Sequence, residues 1–249
     1  MSSLYLDLGN TQAKWLLSSG QTGALSYNGF GTQLELILSD QSSACDVVVA
    51  SVLGPQGTEN ILSALKAVGL KKIRQCVVTP FAAGVRCGYE DVTRLGIDRW
   101  LAVLASWQRY GTACLVADLG TAATLDVVDF NGVHQGGFIV SGLSLSVDGL
   151  LSGTQNIRPK SEGFEEVSLA LGCSTAAAIH NGALASLVAL VDVQFQKLLK
   201  SNCEAKLVLA GGDASLVGSH LESNFELVHG LVFEGMKVLE RAQLLVEVD

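Results

Sequence analysis

The sequence predicts an α/β protein built from two similar lobes, each a mixed sheet flanked by helices, with a cleft between them. Three observations carry this. The opening Leu4-Tyr5-Leu6-Asp7-Leu8-Gly9-Asn10-Thr11 returns in form as Cys114-Leu115-Val116-Ala117-Asp118-Leu119-Gly120-Thr121-Ala122, an apolar strand ending in an acid, a glycine and small polar residues. The flanks of the two segments match, because each leads into two further apolar runs that read as antiparallel strands. Each half then alternates helical and strand patterns.

In the first half, strands follow the opening one at Ala13 to Leu17 and, across a Ser/Gly turn, at Gly23 to Tyr27. Asp46 to Val52, with its run of valines, reads as a strand. A helix near Thr58 to Val68, a strand at Ile73 to Val78 and a helix from Ile97 to Tyr110 complete the half. That last helix stops at Gly111, so the lobes are expected at 1–111 and 112–249. In the second half, Thr124 to Val128 and Val133 to Val140 flank Asn131-Gly132, a strong hairpin signal. An alanine-rich helical stretch from Gly172 to Leu199 follows, then a strand at Lys206 to Ala210 and a short helix. A strand at Phe225 to Val228 and a helix from Leu231 to about Ala242 close the chain.

Composition fits two buried cores: 249 residues, 49% apolar and 16% charged. Uninterrupted apolar runs fall short of the roughly 18 residues a membrane span needs. The first strand begins too early to leave room for a signal peptide. Six cysteines stand singly at Cys45, Cys76, Cys87, Cys114, Cys173 and Cys203, which suits reduced thiols in a cytoplasmic protein and excludes a metal–thiolate cluster. With 16 Lys and Arg against 24 Asp and Glu the chain is acidic, which argues against nucleic acid. An anionic ligand must then be held by local groups.

The two loops have the chemistry to do so. Glycine has no Cβ, so its backbone N–H can approach phosphate oxygens, and an Asp at the strand end can hold a cation that neutralises them. A single strand–Asp–x–Gly turn is routine; a matched pair is not. A third turn, Ala210-Gly211-Gly212-Asp213, opens a helix and reads either as an ordinary strand–helix connection or as a phosphate or adenosine seat. No P-loop, no G-x-G-x-x-G after a strand and no protein-kinase signature occurs. The segment Gly88 to Trp100 adds Gly96-Ile97-Asp98-Arg99 just ahead of an apolar helix. Asp98 there can simply favour the helix dipole, or it can take a proton from a substrate hydroxyl, with Arg99 gripping a carboxylate or carbonyl.

The two-loop, two-lobe pattern resembles the actin-like ATPase superfamily, whose duplicated lobes are ribonuclease H-like. Within it the chain resembles the type III pantothenate kinases, through Asp7-x-Gly9-Asn10-Thr11-x-x-Lys14, Gly96-x-Asp98-Arg99, Asp118-x-Gly120-Thr121-Ala122 and Gly136-Gly137, in family order over almost the whole chain. The resemblance implies phosphorylation of pantothenate by ATP at the start of coenzyme A synthesis. It implies ATP held by Asp7, Gly9, Asn10, Thr11, Lys14, Gly120 and Thr121, with magnesium at Asp7 directly or through water. It also implies a monovalent cation, potassium or ammonium, at Asp118, and Asp98 as proton acceptor. Pantothenate would meet Tyr89, Gly96, Ile97, Asp98, Arg99 and Thr175. The resemblance further implies a homodimer that completes the substrate pocket, with no nucleic-acid or membrane partner. Where the family often carries proline, this chain has Val92, three residues after the tyrosine, and Ser141 before Gly142. A non-catalytic ATP-binding accessory factor and a sugar kinase are the other readings such a fold allows.

Lys14 has a second, lesser reading as a solvated edge-strand residue, and His134 reads as a hydrogen-bonded structural histidine in preference to a catalyst. Asp91, Glu165 and Glu166 read as solvated surface charge, and Arg158 and Lys160 stay unassigned. Ala183 to Val193 reads as core or as a dimer face.

Overall fold

A computed structural model of the chain describes residues 2–39, 45–154 and 167–248. Two compact units divide it, Met1–Ala105 with Leu231–Asp249, and Ser106–Gly230.

The first unit opens with β1 (Ser2–Leu8), β2 (Ala13–Leu17) and β3 (Thr22–Leu25), then α1 (Phe30–Leu38), β4 (Cys45–Ser51), α2 (Pro55–Ala67) and β5 (Ile73–Gln75). A small hairpin of β6 (Phe81–Ala82) and β7 (Val85–Arg86) and a 3₁₀ turn over Val92–Arg94 lead into α3 (Ile97–Tyr110). β1 is central. It pairs antiparallel with β2 and parallel with β4, so both its faces are covered and Leu4, Tyr5, Leu6 and Leu8 are all buried. Pro55 opens α2, where a missing N–H costs nothing, and Ile61, Leu62 and Leu65 turn its apolar side inward. α1 buries Phe30 and Leu34 against the same core.

The second unit repeats this plan with β8 (Cys114–Leu119), β9 (Ala122–Val128), β10 (His134–Ser141), α4 (Leu143–Gly153), α5 (Thr175–Ser201), β11 (Lys206–Ala210), α6 (Ala214–Gly218) and β12 (Glu226–Leu227). Its five-stranded sheet runs β10-β9-β8-β11-β12, and the first sheet repeats that order in β3-β2-β1-β4-β5 before a sixth, C-terminal strand extends it. The duplication read from two short segments therefore extends to whole sheets. Beneath the second sheet lie Leu184, Leu187, Val188, Val191, Phe195 and Leu198 of α5, packed against Leu115, Ala117, Leu207 and Leu209. α5 starts at Thr175, three residues later than expected, because the Ser174 side chain accepts the Ala177 N–H at 3.1 Å and caps it.

Three features depart from the sequence reading. After α7 (Leu231–Arg241), β13 (Val246–Glu247) pairs antiparallel with β5, so residues 231–249 pack with the first unit instead of completing a lobe of 112–249. Glu240 of α7 fixes that return by accepting hydrogen bonds from the Tyr5 hydroxyl and the Arg74 guanidinium, both at 2.5 Å. β2 lies between β1 and β3 and is not an edge strand, although Lys14 on it is exposed. Among the described residues α5 has the length and apolar composition to cross a membrane. Its uninterrupted apolar runs are short because polar residues such as Asn181 and Asp192 break them, and its Leu and Val stripe is spent on the core.

Candidate active site

The first loop begins where β1 ends. Asp7 is the penultimate residue of β1 and stands opposite Lys14 of β2 in the ladder; Leu8 pairs with Ala13, so Gly9, Asn10, Thr11 and Gln12 form the connection. The Gly9 N–H closes it on the Gln12 carbonyl at 3.2 Å. Asn10 and Thr11 are exposed at its tip and Asp7 is half-buried below them. From the far side the Tyr27 hydroxyl donates to the Gly9 carbonyl at 2.5 Å. Burial, and then the negative charge of Asp7, push the Tyr27 hydroxyl up to about 12.

The second loop repeats that register. Asp118 is the penultimate residue of β8 and faces Thr124 of β9, the counterpart of Lys14. Leu119 pairs with Ala123, so this connection, Gly120 to Ala122, is one residue shorter. Two other segments press on it. Gly142 donates its N–H to the Thr121 carbonyl at 3.0 Å, and a Cβ at Gly142 would lie 1.9 Å from the Gly120 carbonyl oxygen. Gly211, in the left-handed region at φ +93°, would put a Cβ 2.3 Å from the Leu119 carbonyl oxygen, while the Asp213 N–H donates to that same oxygen at 2.9 Å. The third glycine turn is thus brought against the second loop. Burial raises the Asp213 carboxyl above its ordinary range. Gly142 has no motif of its own to mark it as loop-forming; the glycine following Ser141 is the one sequence signal for it.

The third segment is local. Asp98 lies in the first turn of α3, and its Oδ1 accepts the Arg99 N–H at 2.8 Å. A Cβ at Gly96 would sit 2.6 Å from that oxygen, so glycine leaves the space the carboxylate occupies. Ile97 and Arg99 are buried at 7% and 5% exposure. Arg99 Nη1 donates to the Tyr89 hydroxyl at 2.8 Å, and its guanidinium carbon lies 5.6 Å from the centre of the Tyr89 ring. A guanidinium's planar fork has the geometry to grip a carboxylate or carbonyl group. Asp91, read as bare surface charge, also caps the 3₁₀ turn: its Oδ1 accepts the Thr93 N–H at 3.0 Å and the Thr93 hydroxyl at 2.6 Å. The Thr93 bonds lower its pKa, and the cap holds the turn that opens at Val92.

Thr175 belongs to the second unit. It is exposed at the start of α5 and lines a groove of about 800 Å³ with Ser141, Ser146, Ala178, Gly182 and Ala183, and no other predicted site residue lines that groove. The stretch Ala183 to Val193 splits, with Val188 and Val191 in the core, Ala183 on the groove and Val193 exposed. His134 is a buried structural residue, its Nε2 2.8 Å from Asp126 Oδ1. Arg158, Lys160, Glu165 and Glu166 fall outside the described residues.

Among the described residues no group of three or more His, Cys, Asp or Glu side chains could hold a metal ion by itself. Single carboxylates at Asp7 and Asp118 suit hard cations that take their remaining ligands from water and substrate phosphates, as magnesium does.

The family profile described as type III pantothenate kinase matches residues 3–197. A type III pantothenate kinase of Pseudomonas paraeruginosa is 36% identical over 94% of this chain and 96% of its own length. That of Acinetobacter baylyi is 32% identical over 98% of this chain and all of its own length. Among solved structures, a Campylobacter jejuni protein described as a Baf family transcriptional activator covers 96% of this chain and 98% of itself, with a TM-score of 0.60 at 21% identity. MreB5 of Spiroplasma citri, bound to AMPPNP, covers 96% of both chains with a TM-score of 0.51 at 11% identity. These two share the fold alone, a duplicated actin-like one. With a profile over most of its length and relatives matched end to end, this chain belongs to the type III pantothenate kinase family.

Proposed function

We propose that this chain transfers the γ-phosphoryl group of ATP to the hydroxyl of pantothenate, giving 4'-phosphopantothenate, the first step of coenzyme A synthesis. The observation that carries the reading is the pair of strand–Asp–Gly loops at the same register of two sheets that share a five-strand order. The N–H groups of Gly9 to Thr11 and of Gly120 and Thr121, with Lys14, are assigned to the phosphate oxygens. Phosphoryl transfer passes through a loose transition state, so most of the catalysis is positioning and charge stabilisation. Magnesium held at Asp7, directly or through water, would neutralise charge on the phosphates, and a potassium or ammonium ion at Asp118 would add to that.

Asp98 is assigned as the proton acceptor for the pantothenate hydroxyl. The proton leaves late in such a transfer, so an ordinary carboxylate suffices. Arg99, braced by Tyr89, is assigned to the substrate's carboxylate or carbonyl, and Gly96 and Ile97 to the wall beside it. An anionic end on the substrate favours pantothenate over a sugar. Thr175 is assigned to pantothenate through the groove of α4 and α5. Leu145 and Leu150, exposed and lining that groove, support a homodimer that completes the pocket. Four buried free cysteines support a cytoplasmic setting.

The test is ADP release by the purified protein with magnesium and potassium, with and without pantothenate. A kinase of this kind releases ADP only with pantothenate. An accessory ATP binder releases none or is indifferent to it, and a sugar kinase answers to a sugar instead.

A further inference from the structure

The Tyr27 hydroxyl reaches the phosphate loop from a segment built to hold it. Tyr27 lies in the connection between β3 and α1, and its ring packs at the edge of the first unit's core. Gln33, on the first turns of α1, staples that connection from both ends. Its Nε2 donates to the Asn28 carbonyl at 2.8 Å and the Ser26 carbonyl at 3.4 Å, while its Oε1 accepts the Ser26 N–H at 3.3 Å. Gly29, at φ +71°, makes the sharp entry into α1, and Phe30 and Leu34 anchor that helix in the core. The hydroxyl is therefore presented by a braced turn and not by a free side chain.

Its acceptor matters more than its strength. The Gly9 carbonyl belongs to the same peptide group as the Asn10 N–H. In a planar trans peptide those two point in opposite directions. A donor that holds the Gly9 carbonyl on one side therefore fixes the Asn10 N–H toward the other. In the second loop the Gly142 backbone N–H holds a carbonyl one peptide further along, that of Thr121, at 3.0 Å. Both loops are closed by their own main-chain bonds, Gly9 N–H to the Gln12 carbonyl and Gly120 N–H to the Ala122 carbonyl, and the first is held in addition by a side chain, the Tyr27 phenol.

We infer that Tyr27 is a positioning residue for ATP: its hydroxyl holds the Gly9 peptide so that the Asn10 N–H is aimed at phosphate before the nucleotide arrives. This rests on the ATP reading of the loop. Tyr27 touches no reacting atom, and its effect falls on nucleotide affinity.

Tyr27→Phe removes one oxygen and keeps the ring in the core. Tyr5→Phe is the matched control, since it deletes a tyrosine hydroxyl bonded to Glu240 in the same unit. Magnesium–ATP affinity is measured by calorimetry, the KM for each substrate by turnover, and folding by thermal melting. Tyr27→Phe is expected to weaken ATP binding about three- to tenfold, the range for losing one hydrogen bond, with the pantothenate KM within about twofold of the original. Tyr5→Phe is expected to lower the melting temperature and leave ATP affinity alone. Unchanged ATP affinity in Tyr27→Phe overturns the inference, and so does an equal loss in both variants or for both substrates. Failure of the unsubstituted protein to bind ATP overturns the ATP reading itself, a result distinct from tight binding that Tyr27→Phe leaves unchanged.

Discussion

Asp98 supports the start of α3 and, in the proposed reaction, receives a proton; the two roles separate in one substitution. Asp98→Asn keeps the side chain's size and an oxygen for the Arg99 N–H, but it removes the basicity. Turnover is predicted to fall by roughly 10²–10⁴, the usual range for a positioned general base. ATP affinity and folding should hardly change, since Asn is tolerated near a helix start. Normal kcat with a lowered melting temperature would leave Asp98 only its dipole role. The cation assigned to Asp118 has its own test: replacing potassium by sodium at constant magnesium should weaken ATP binding sharply. Equal affinity in the two salts would return Asp118 to an ordinary turn carboxylate. At this scale the sequence displays the chemistry-bearing residues openly, because Asp7, Asp98 and Asp118 sit in short motifs of local geometry. It does not display the residues that hold the two Asp–Gly loops. Tyr27 and Gly142 are separated from their loops by 18 and more residues of chain, and only the folded backbone brings them back.

α3 and α7 meet at Gly235, and the contact is backbone on backbone. A Cβ there would lie 2.2 Å from the Leu101 carbonyl oxygen. Glycine inside a helix costs about 0.5–1 kcal/mol relative to alanine, so Gly235→Ala gains that much locally. The clash outweighs it, since overpacking costs typically about 1–3 kcal/mol and a carbonyl cannot turn aside as a flexible side chain can. The melting temperature is predicted to drop by a few degrees, at about 2–4 °C per kcal/mol for a chain of this size. An equal or higher melting temperature would mean that α7 does not pack on α3 in this way. Elements with strong local signals were legible: α3 and β11 run over the expected residues, and the Asn131-Gly132 turn joins β9 and β10. α4 was not, because it starts at a glycine without a side-chain cap and carries Gly149 and Gly153. α1 was overlooked although Phe30, Leu34 and Ile37 have helical spacing. β6, β7 and β13 are two residues each, too short for any periodicity.

Over the whole molecule the duplication was readable because each copy repeats the same local grammar, whereas the return of α7 and β13 to the first unit was not. That return depends on Tyr5, Arg74 and Glu240 meeting across long stretches of chain. Buried hydroxyls and thiols in both units make stability sensitive to alkali. Burial pushes Tyr5 and Tyr27 from the ordinary 10.0, and Cys76 and Cys114 from 9.0, up to about 12. These groups keep their protons in the fold over a range where the unfolded chain has lost them. The unfolded state then binds fewer protons, and stability falls as pH rises from about 9 to about 12. The guanidinium midpoint should be lower at about pH 10.5 than at about pH 8, with a smaller drop in Tyr5→Phe; a midpoint that holds or rises would contradict the assignment of these groups to the core. The central claim is phosphoryl transfer to pantothenate, and the mass of the product tests it most directly. After incubation with ATP, magnesium and potassium, pantothenate is predicted to gain one phosphoryl group in step with ADP formed. ATP bound or hydrolysed with the mass of pantothenate unchanged would contradict it.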